Sequence, residues 1–439
     1  MSPRAEALRL ALAKGPASAQ QLLEILGVSQ PTVSRALAAL GQEVLRIGAG
    51  PSIHYALRDS GWGLSDIPVY RVTAEGKLRK LGTLVPVRPA GFVMQQEDGK
   101  SLHSHGLPWW LCDARPQGFL GRVFAEHHAA SLGLPSRLNE WSDSHALRAL
   151  LAHGHDAMGN LLLGDTAYER FLSSPAPQTV QPEQYAELAE AAERGELPGS
   201  SAGGEQPKFT AFNGRHHVLV KFTAAPDNPV TRRWRDLLAA EQLAAQVLLE
   251  AGIPAAQSRL LDIAERRFLA IERFDRVGSH GRRALHSLAA LEAEFIGDAS
   301  AAWPSLTARL ATQGLITPEA ANITALLHAF GSLIGNSDMH NGNLSFMSEH
   351  GRPYRLAPAY HMLPMAFAPR SGGLLPTSLP PLHLRADIAP DIWRQAQPLA
   401  ERFVQRLAED ARLSKDWQPC TAALQQHLST AAGMIERLE

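Results

Sequence analysis

Cysteine is nearly absent: the 439 residues hold two, Cys112 and Cys420, far apart and in no C-x-x-C. That excludes a disulfide scaffold and a cysteine-based zinc site, and it fits a reducing cytoplasm. A positively charged start followed by an apolar run is missing, and no stretch reaches ~18 apolar residues, so neither signal peptide nor membrane span is expected. Net charge is missing too. The 42 Lys+Arg and 43 Asp+Glu sum to −1, so any contact with DNA must come from a local basic surface. What is present is ordinary globular composition, 45% hydrophobic and 19% charged, in a length that suits about three domains of ~150 residues. The pairs "HSH" (103–105) and "HGH" (153–155) lack a third clustered ligand and read as loop or surface histidines rather than metal ligands.

Residues 1–60 carry the first recognisable unit. "PRAEALRLALAKG" has a helical apolar period ending at Gly15. In "SAQQLLEILGVSQPTVSRALAALG", Ser18 is a candidate N-cap, Gly27 supplies a tight turn, and Ser29 can cap a second helix from about Gln30 to Leu40. Val33, Leu37 and Leu40 are expected inward. Gln30, Thr32, Ser34 and Arg35 are expected outward, where such side chains reach base edges and phosphates. "EVLRIGAGPSIHYAL" then supplies two short strands around "GAGPS", so the segment resembles a winged helix-turn-helix. Residues 1–58 hold six Arg or Lys against three Asp or Glu, a local +3. A helical hairpin for protein contacts is the alternative reading. One such module binds one half-site, so specific DNA binding points to a homodimer.

Residues 61–175 mix short strands ("PVYRVTA", "KLGTLVPVRP", "GFVMQQ") with helix ("SHALRALLAHG") and name no chemistry. "SSPAPQTVQPEQ" (173–184) is the linker candidate. Beyond it, "PGSSAGGEQPKFTAFNGRHHVLVKF" (198–222) places a Gly/Ser segment ahead of a hairpin whose Asn213-Gly214 suits a type I′ turn. The Gly/Ser segment has neither Walker nor Rossmann spacing and suits an ordinary loop as well as a phosphate cradle. Lys221 sits within "VLVKF", where a partly buried lysine needs an anion, either a carboxylate or a phosphate. Glu241, on the long helix after that strand, is a possible partner, and Arg232, Arg233 and Arg235 read as its solvated face. A second hairpin ends in "ERFDR" (272–276). Two hairpins with a helix between, then a helical region, is the layout of a protein-kinase-type bilobal fold. "FGSLIGNSDMHNGNLSF" (330–346) adds Asn336, Asp338, His340 and Asn343. The interval Asp338-x-x-x-x-Asn343 matches the kinase catalytic loop, and it also suits a polar turn.

Together "SSAGGEQPK", "VLVKF", "ERFDR", "GNSDMHNGNLSF" and "LAPAYHMLP" resemble, in order, the HipA-like serine/threonine kinases, the toxins of bacterial toxin–antitoxin modules. The fused N-terminal module points to the YjjJ-type branch. The resemblance implies an α+β fold: a winged helix-turn-helix (1–60), an N-terminal subdomain (61–175), a kinase N-lobe (176–276) and a mostly helical C-lobe (277–439). It implies ATP and Mg²⁺ as cofactors, and a protein substrate such as an aminoacyl-tRNA synthetase or another translation component. Promoter DNA is the other implied partner, with a cytoplasmic, nucleoid-associated location and no membrane. Asp338 is implied as the catalytic base and Asn343 as a Mg²⁺ ligand. Lys221, Ser201, Gly203, Gly204 and His340 are implied at the ATP phosphates, and the backbone of Glu272, Arg273 and Phe274 at adenine. Ser201, or neighbouring Ser200, is the implied site of autophosphorylation, which ejects the loop because a phosphate of charge near −2 no longer fits there.

One position departs from the family. In "LAPAYHMLP" His361 stands where the pattern has the Mg²⁺-binding aspartate. Mg²⁺ prefers hard anionic oxygens, and an imidazole offers one softer, neutral nitrogen. An introduced inactivating substitution, a natural pseudokinase and a site adapted to another metal all account for it. A nucleotide-sensing DNA-binding regulator is the alternative function.

Overall fold

Ser18 opens the second helix of the N-terminal unit. Its hydroxyl accepts the Gln21 N–H while the Gln21 side chain accepts the Ser18 N–H, a capping box on Ala19–Leu26. Gly27 ends that helix at φ +60°, a conformation that suits glycine. The recognition helix runs Gln30–Leu40, and its Val33, Ala36 and Leu40 pack with Ala5, Leu8 and Leu12 of the helix Pro3–Leu12. Thr32 does not face outward. It lies one turn before Ala36 on the inner face, buried, with its hydroxyl 3.1 Å from Ser29 Oγ. Gln30, Ser34 and Arg35 are exposed. The wing strands Val44–Ile47 and His54–Leu57 pair antiparallel, with Ala17–Ser18 on the far side of the second. The computed structural model describes residues 2–48, 53–62, 66–196, 204–349 and 351–438, so the wing tip lies outside it.

The wing is welded to the middle of the chain. Leu45, Ile47 and Ala56 share one apolar cluster with Val85, Val87 and Val93 of a five-stranded antiparallel sheet. At the junction the Arg88 N–H donates to Leu57 O at 2.8 Å, and Asp59, buried, takes the Arg88 guanidinium at 3.0 Å. The sheet runs Ser101–His105, Gly91–Gln96, Leu78–Val87, Ile67–Val72, Leu161–Leu163 in spatial order. His103 and His105 therefore sit on an edge strand rather than in a loop, and His153 ends a helix, stacked 4.0 Å from His128. The 173–184 stretch is no free linker. Its Val180 N–H donates to Phe212 O at 2.8 Å, alongside the hairpin.

The next layer is a four-stranded antiparallel sheet in the order Ser258–Ile263, Arg266–Glu272, His217–Phe222, Lys208–Phe212. Phe209, Phe222 and Phe268 fill its underside, each worth ~1.5–3 kcal/mol of burial. The hairpin turn differs from the type I′ expectation. Asn213 is outside the left-handed region and only Gly214 has positive φ, at +91°. The Asn213 side chain instead accepts the Arg215 and His216 N–H groups, holding a wider turn. The long helix Pro229–Glu250 crosses the other face. Its arginines are not one solvated face, because Arg233 is buried and donates to Phe367 O and Pro376 O. The C-terminal layer is mostly helical, its core built on Trp303, Phe330, Trp393, Phe403 and Trp417. No helix among the described residues is long and apolar enough to cross a membrane.

Candidate nucleotide site

The cleft between the two lobes collects the predicted residues into a chain of contacts. Lys221 projects from the central strand His217–Phe222, and its Nζ donates to both oxygens of Glu241, at 2.6 and 2.8 Å. Both groups are buried. Burial alone pushes a carboxyl up, but Lys221 and the His361 backbone N–H hold Glu241 below the usual range. The Asp338–Asn343 loop comes after the helix Pro318–Leu333, and the Asn343 amide donates to Asp338 O at 2.8 Å. Asn336, which sequence reading noted without a role, is buried here. It accepts the Asp338 N–H and donates to His361 O, joining the two loops.

His361 closes the chain. Its Nδ1 lies 3.3 Å from Lys221 Nζ and its Nε2 lies 2.9 Å from Asp338 Oδ2. Lysine only donates and an ionised carboxylate only accepts, so Nδ1 is the acceptor and Nε2 carries the proton. Burial, then the Lys221 charge, push the imidazole below its ordinary value, which keeps the ring neutral at pH 7. The bond from His361 in turn holds Asp338 below the usual carboxylate range. The residue sits at φ +56°, a region uncommon outside glycine. Three bonds keep it there: both ring nitrogens and the carbonyl on Asn336. His340, by contrast, is exposed. Its Nδ1 accepts the Gly342 N–H, and its Nε2 stays 3.9 Å from Asp338.

At the interlobe strand the three predicted residues divide. The Glu272 N–H already donates to Gln257 O and the Arg273 N–H to His217 O, while the Arg273 side chain clasps Asp275. Phe274 is the member that faces the cleft side, its ring 5.8 Å from Tyr360. Tyr360 was not anticipated; its hydroxyl bonds Ser345 Oγ at 2.8 Å and Gly342 O at 3.1 Å.

Ser200, Ser201 and Gly203 lie outside the described residues. Gly204, the loop's described end, is fixed: its carbonyl accepts the Phe119 N–H and Lys208 Nζ, both at 3.0 Å. A Cβ on Gly118 would stand 2.6 Å from that carbonyl, so glycine permits the approach. Lys208 is the second residue that sequence reading missed. It is buried, directly opposite Lys221 in register, and burial followed by the Lys221 charge pushes it down to about 7.

Mg²⁺ does not fit these donors. Asp338 already accepts the His361 N–H, Glu241 is taken up by Lys221, His361 Nε2 carries a proton, and Asn343, whose NH₂ donates to Asp338 O, offers only a neutral carbonyl oxygen. Among the described residues no group of three or more His, Cys, Asp or Glu is arranged to hold a metal.

Two lobes, a strand lysine paired with a helix glutamate, and an Asp/Asn loop beneath define a protein-kinase-type fold. The family comparisons are more specific. Residues 64–172 match the YjjJ-like toxin middle domain, residues 200–429 the HipA-like C-terminal domain, and residues 4–43 the arsR family of bacterial regulatory proteins. The Toxin YjjJ of Escherichia coli (strain K12) is 39% identical over 438 residues, 97% of this chain and 98% of that one. A Shewanella oneidensis MR-1 HipA, solved in a complex with HipB and operator DNA, matches in fold at TM-score 0.51 and 15% identity, over 85% of this chain and 97% of that one. The chain belongs to the HipA-like toxin family, in its YjjJ branch, with a helix-turn-helix fused at its N-terminus.

Proposed function

We propose that the chain is a HipA-like serine/threonine-protein kinase toxin that carries its own DNA-binding domain. It binds ATP and transfers the γ-phosphate to a protein hydroxyl, at a rate that His361 holds low. The observation that carries this reading is the formed Lys221–Glu241 pair, joined through His361 to Asp338. In this reading Lys221 meets the phosphates, and Asp338 takes the proton released by the attacking serine or threonine hydroxyl. The transferred group ends on the protein, ADP leaves, and Ser201 or Ser200 is the self-acceptor.

The test is phosphate incorporation from labelled ATP, with sites located by mass spectrometry. Asp338→Asn should lower the residual rate by ~10²-fold or more, as for loss of a general base, with little change in nucleotide affinity. An unchanged rate would remove Asp338 from the chemistry. A second reading, a nucleotide sensor that transfers no phosphate, is favoured by the His361–Asp338 bond. Binding without incorporation in any variant would select it.

For DNA, Gln30, Ser34 and Arg35 are the exposed polar side chains of the recognition helix. Gel shifts at two salt concentrations should show Arg35→Ala weakening binding, and a loss of about one charge from the salt slope. Equal binding by both proteins would place recognition elsewhere.

A further inference from the structure

Three arginines gather at the seam between the five-stranded sheet and the C-terminal layer, and none of them forms an ion pair among the described residues. Arg71 and Arg79 are directly opposed on the strands Ile67–Val72 and Leu78–Val87, so their side chains leave the same face of the sheet. Like charges placed so repel each other. Arg71 is half-buried, and its Nε is sealed from solvent without a hydrogen-bond partner. Burial and the Arg79 charge lower its guanidinium, and only the Tyr354 hydroxyl offsets them.

Arg352 reaches the same place from the C-terminal layer. Its guanidinium carbon lies 4.5 Å from the centre of the Phe295 ring, 5.8 Å from that of Trp109 and 6.0 Å from that of Tyr354. Those contacts order a long, exposed side chain. Its hydrogen bond is a long one, from Nε to the Tyr354 hydroxyl at 3.5 Å. His286 sits beside it, its ring 4.8 Å from Trp109 and 5.3 Å from Tyr354, and its buried Nδ1 also lacks a partner. Burial, then the charges of Arg352 and Arg71, push that imidazole down to about 4, so it stays neutral and adds no repulsion.

Guanidinium groups held near one another, with no carboxylate between them, present forked donors to an oxyanion. The setting selects its size. Arg71 is recessed in the seam while Arg79 and Arg352 are exposed at its rim, so a small group can reach all three. A nucleic-acid backbone would meet only the rim. We propose that this seam binds the phosphate group of a small molecule, with Arg71 as its floor and Arg79 and Arg352 as its sides. The sheet that contributes Arg71 and Arg79 also carries the wing of the DNA-binding unit, so the occupant ties that unit to the C-terminal layer.

Pyrophosphate is the probe, titrated calorimetrically into the full chain in a buffer free of phosphate and sulfate. Arg71→Gln and Arg352→Gln should each weaken its binding by about fivefold or more, the scale of one lost charged hydrogen bond. Lys221→Met, in the nucleotide cleft, should keep the affinity within about twofold. Pyrophosphate should also raise the unfolding temperature of the unsubstituted chain and leave that of Arg352→Gln nearly unmoved. Arg352 is exposed, so this variant keeps the test open even where Arg71→Gln fails to fold. Unchanged affinity in Arg352→Gln overturns the proposal. A loss confined to Lys221→Met overturns it as well, by placing the anion in the nucleotide cleft. So does an absence of pyrophosphate binding, including the case in which duplex DNA binds and Arg352→Gln weakens it.

Discussion

His361→Asp should raise phosphate transfer in the presence of Mg²⁺ by ~10²-fold or more over the unsubstituted chain, the scale of one well-placed electrostatic contact. The substitution acts in two ways. It removes the N–H that His361 lays on Asp338 Oδ2 at 2.9 Å, which returns that oxygen to the proton of an attacking hydroxyl. It also places an anionic oxygen donor next to Asn343 and Asp338, which phosphoryl transfer needs because little covalent chemistry is left to the protein. Backbone strain does not oppose the change, since aspartate is among the residues that tolerate φ near +56°. Without a cation the new carboxylate faces Asp338 and Glu241 at close range, so the gain should vanish in EDTA. Labelled ATP and mass spectrometry on Ser200, Ser201 and extract proteins measure it. Equal rates for the two proteins in Mg²⁺ would show that His361 does not limit transfer.

Much of this arrangement was legible from spacing. The Lys221–Glu241 pair, the Asp338–Asn343 loop and the odd His361 were all visible, because each lies in a short segment whose residue types are unusual for their setting. Thr32 was misread because its polarity suggested exposure, whereas the helical period puts it one turn from Ala36 on the buried face. Arg233 failed for the same reason: a guanidinium can be buried when two carbonyls receive it, and both come from residues more than 130 positions away. The role of Lys208 could have been seen by counting strand register across the hairpin, which sets it opposite Lys221. The Asn343 orientation and the His361 tautomer could not, since each depends on which atoms meet once the loops have folded.

The second large effect is expected at Asp275, in "ERFDR", outside the cleft. Its carboxylate is buried and accepts from Arg273 Nε at 2.9 Å, Arg273 NH2 at 2.8 Å and Arg276 NH1 at 2.6 Å. Arg276 reaches on to Asp156 and to the carbonyls of Ala157 and Gly159, so the interlobe strand is clamped to the layer formed by residues 67–173. Burial pushes the Asp275 carboxyl up, but the two arginines outweigh it and hold it far below the usual range. Asp275→Ala leaves two buried guanidinium groups short of an anion, and removal of one partner from such a pair costs about 3–5 kcal/mol. Chemical denaturation of the full chain should show that loss, and a cost under ~1 kcal/mol would mean that the clamp carries no stability. The pH dependence has the same origin. A depressed carboxyl contributes its full stability above its unfolded value of ~3.9 and loses it as pH falls through the lower folded value. Between pH 8 and 5 the difference between the unsubstituted chain and Asp275→Ala should therefore stay constant, and it should shrink only in stronger acid. Arg273 also donates its backbone N–H to His217 O, so the clamp sets the path of the strand that leads to Phe274. Loosening it should weaken ATP binding along with the fold, whereas the effect of His361→Asp on transfer should follow the metal.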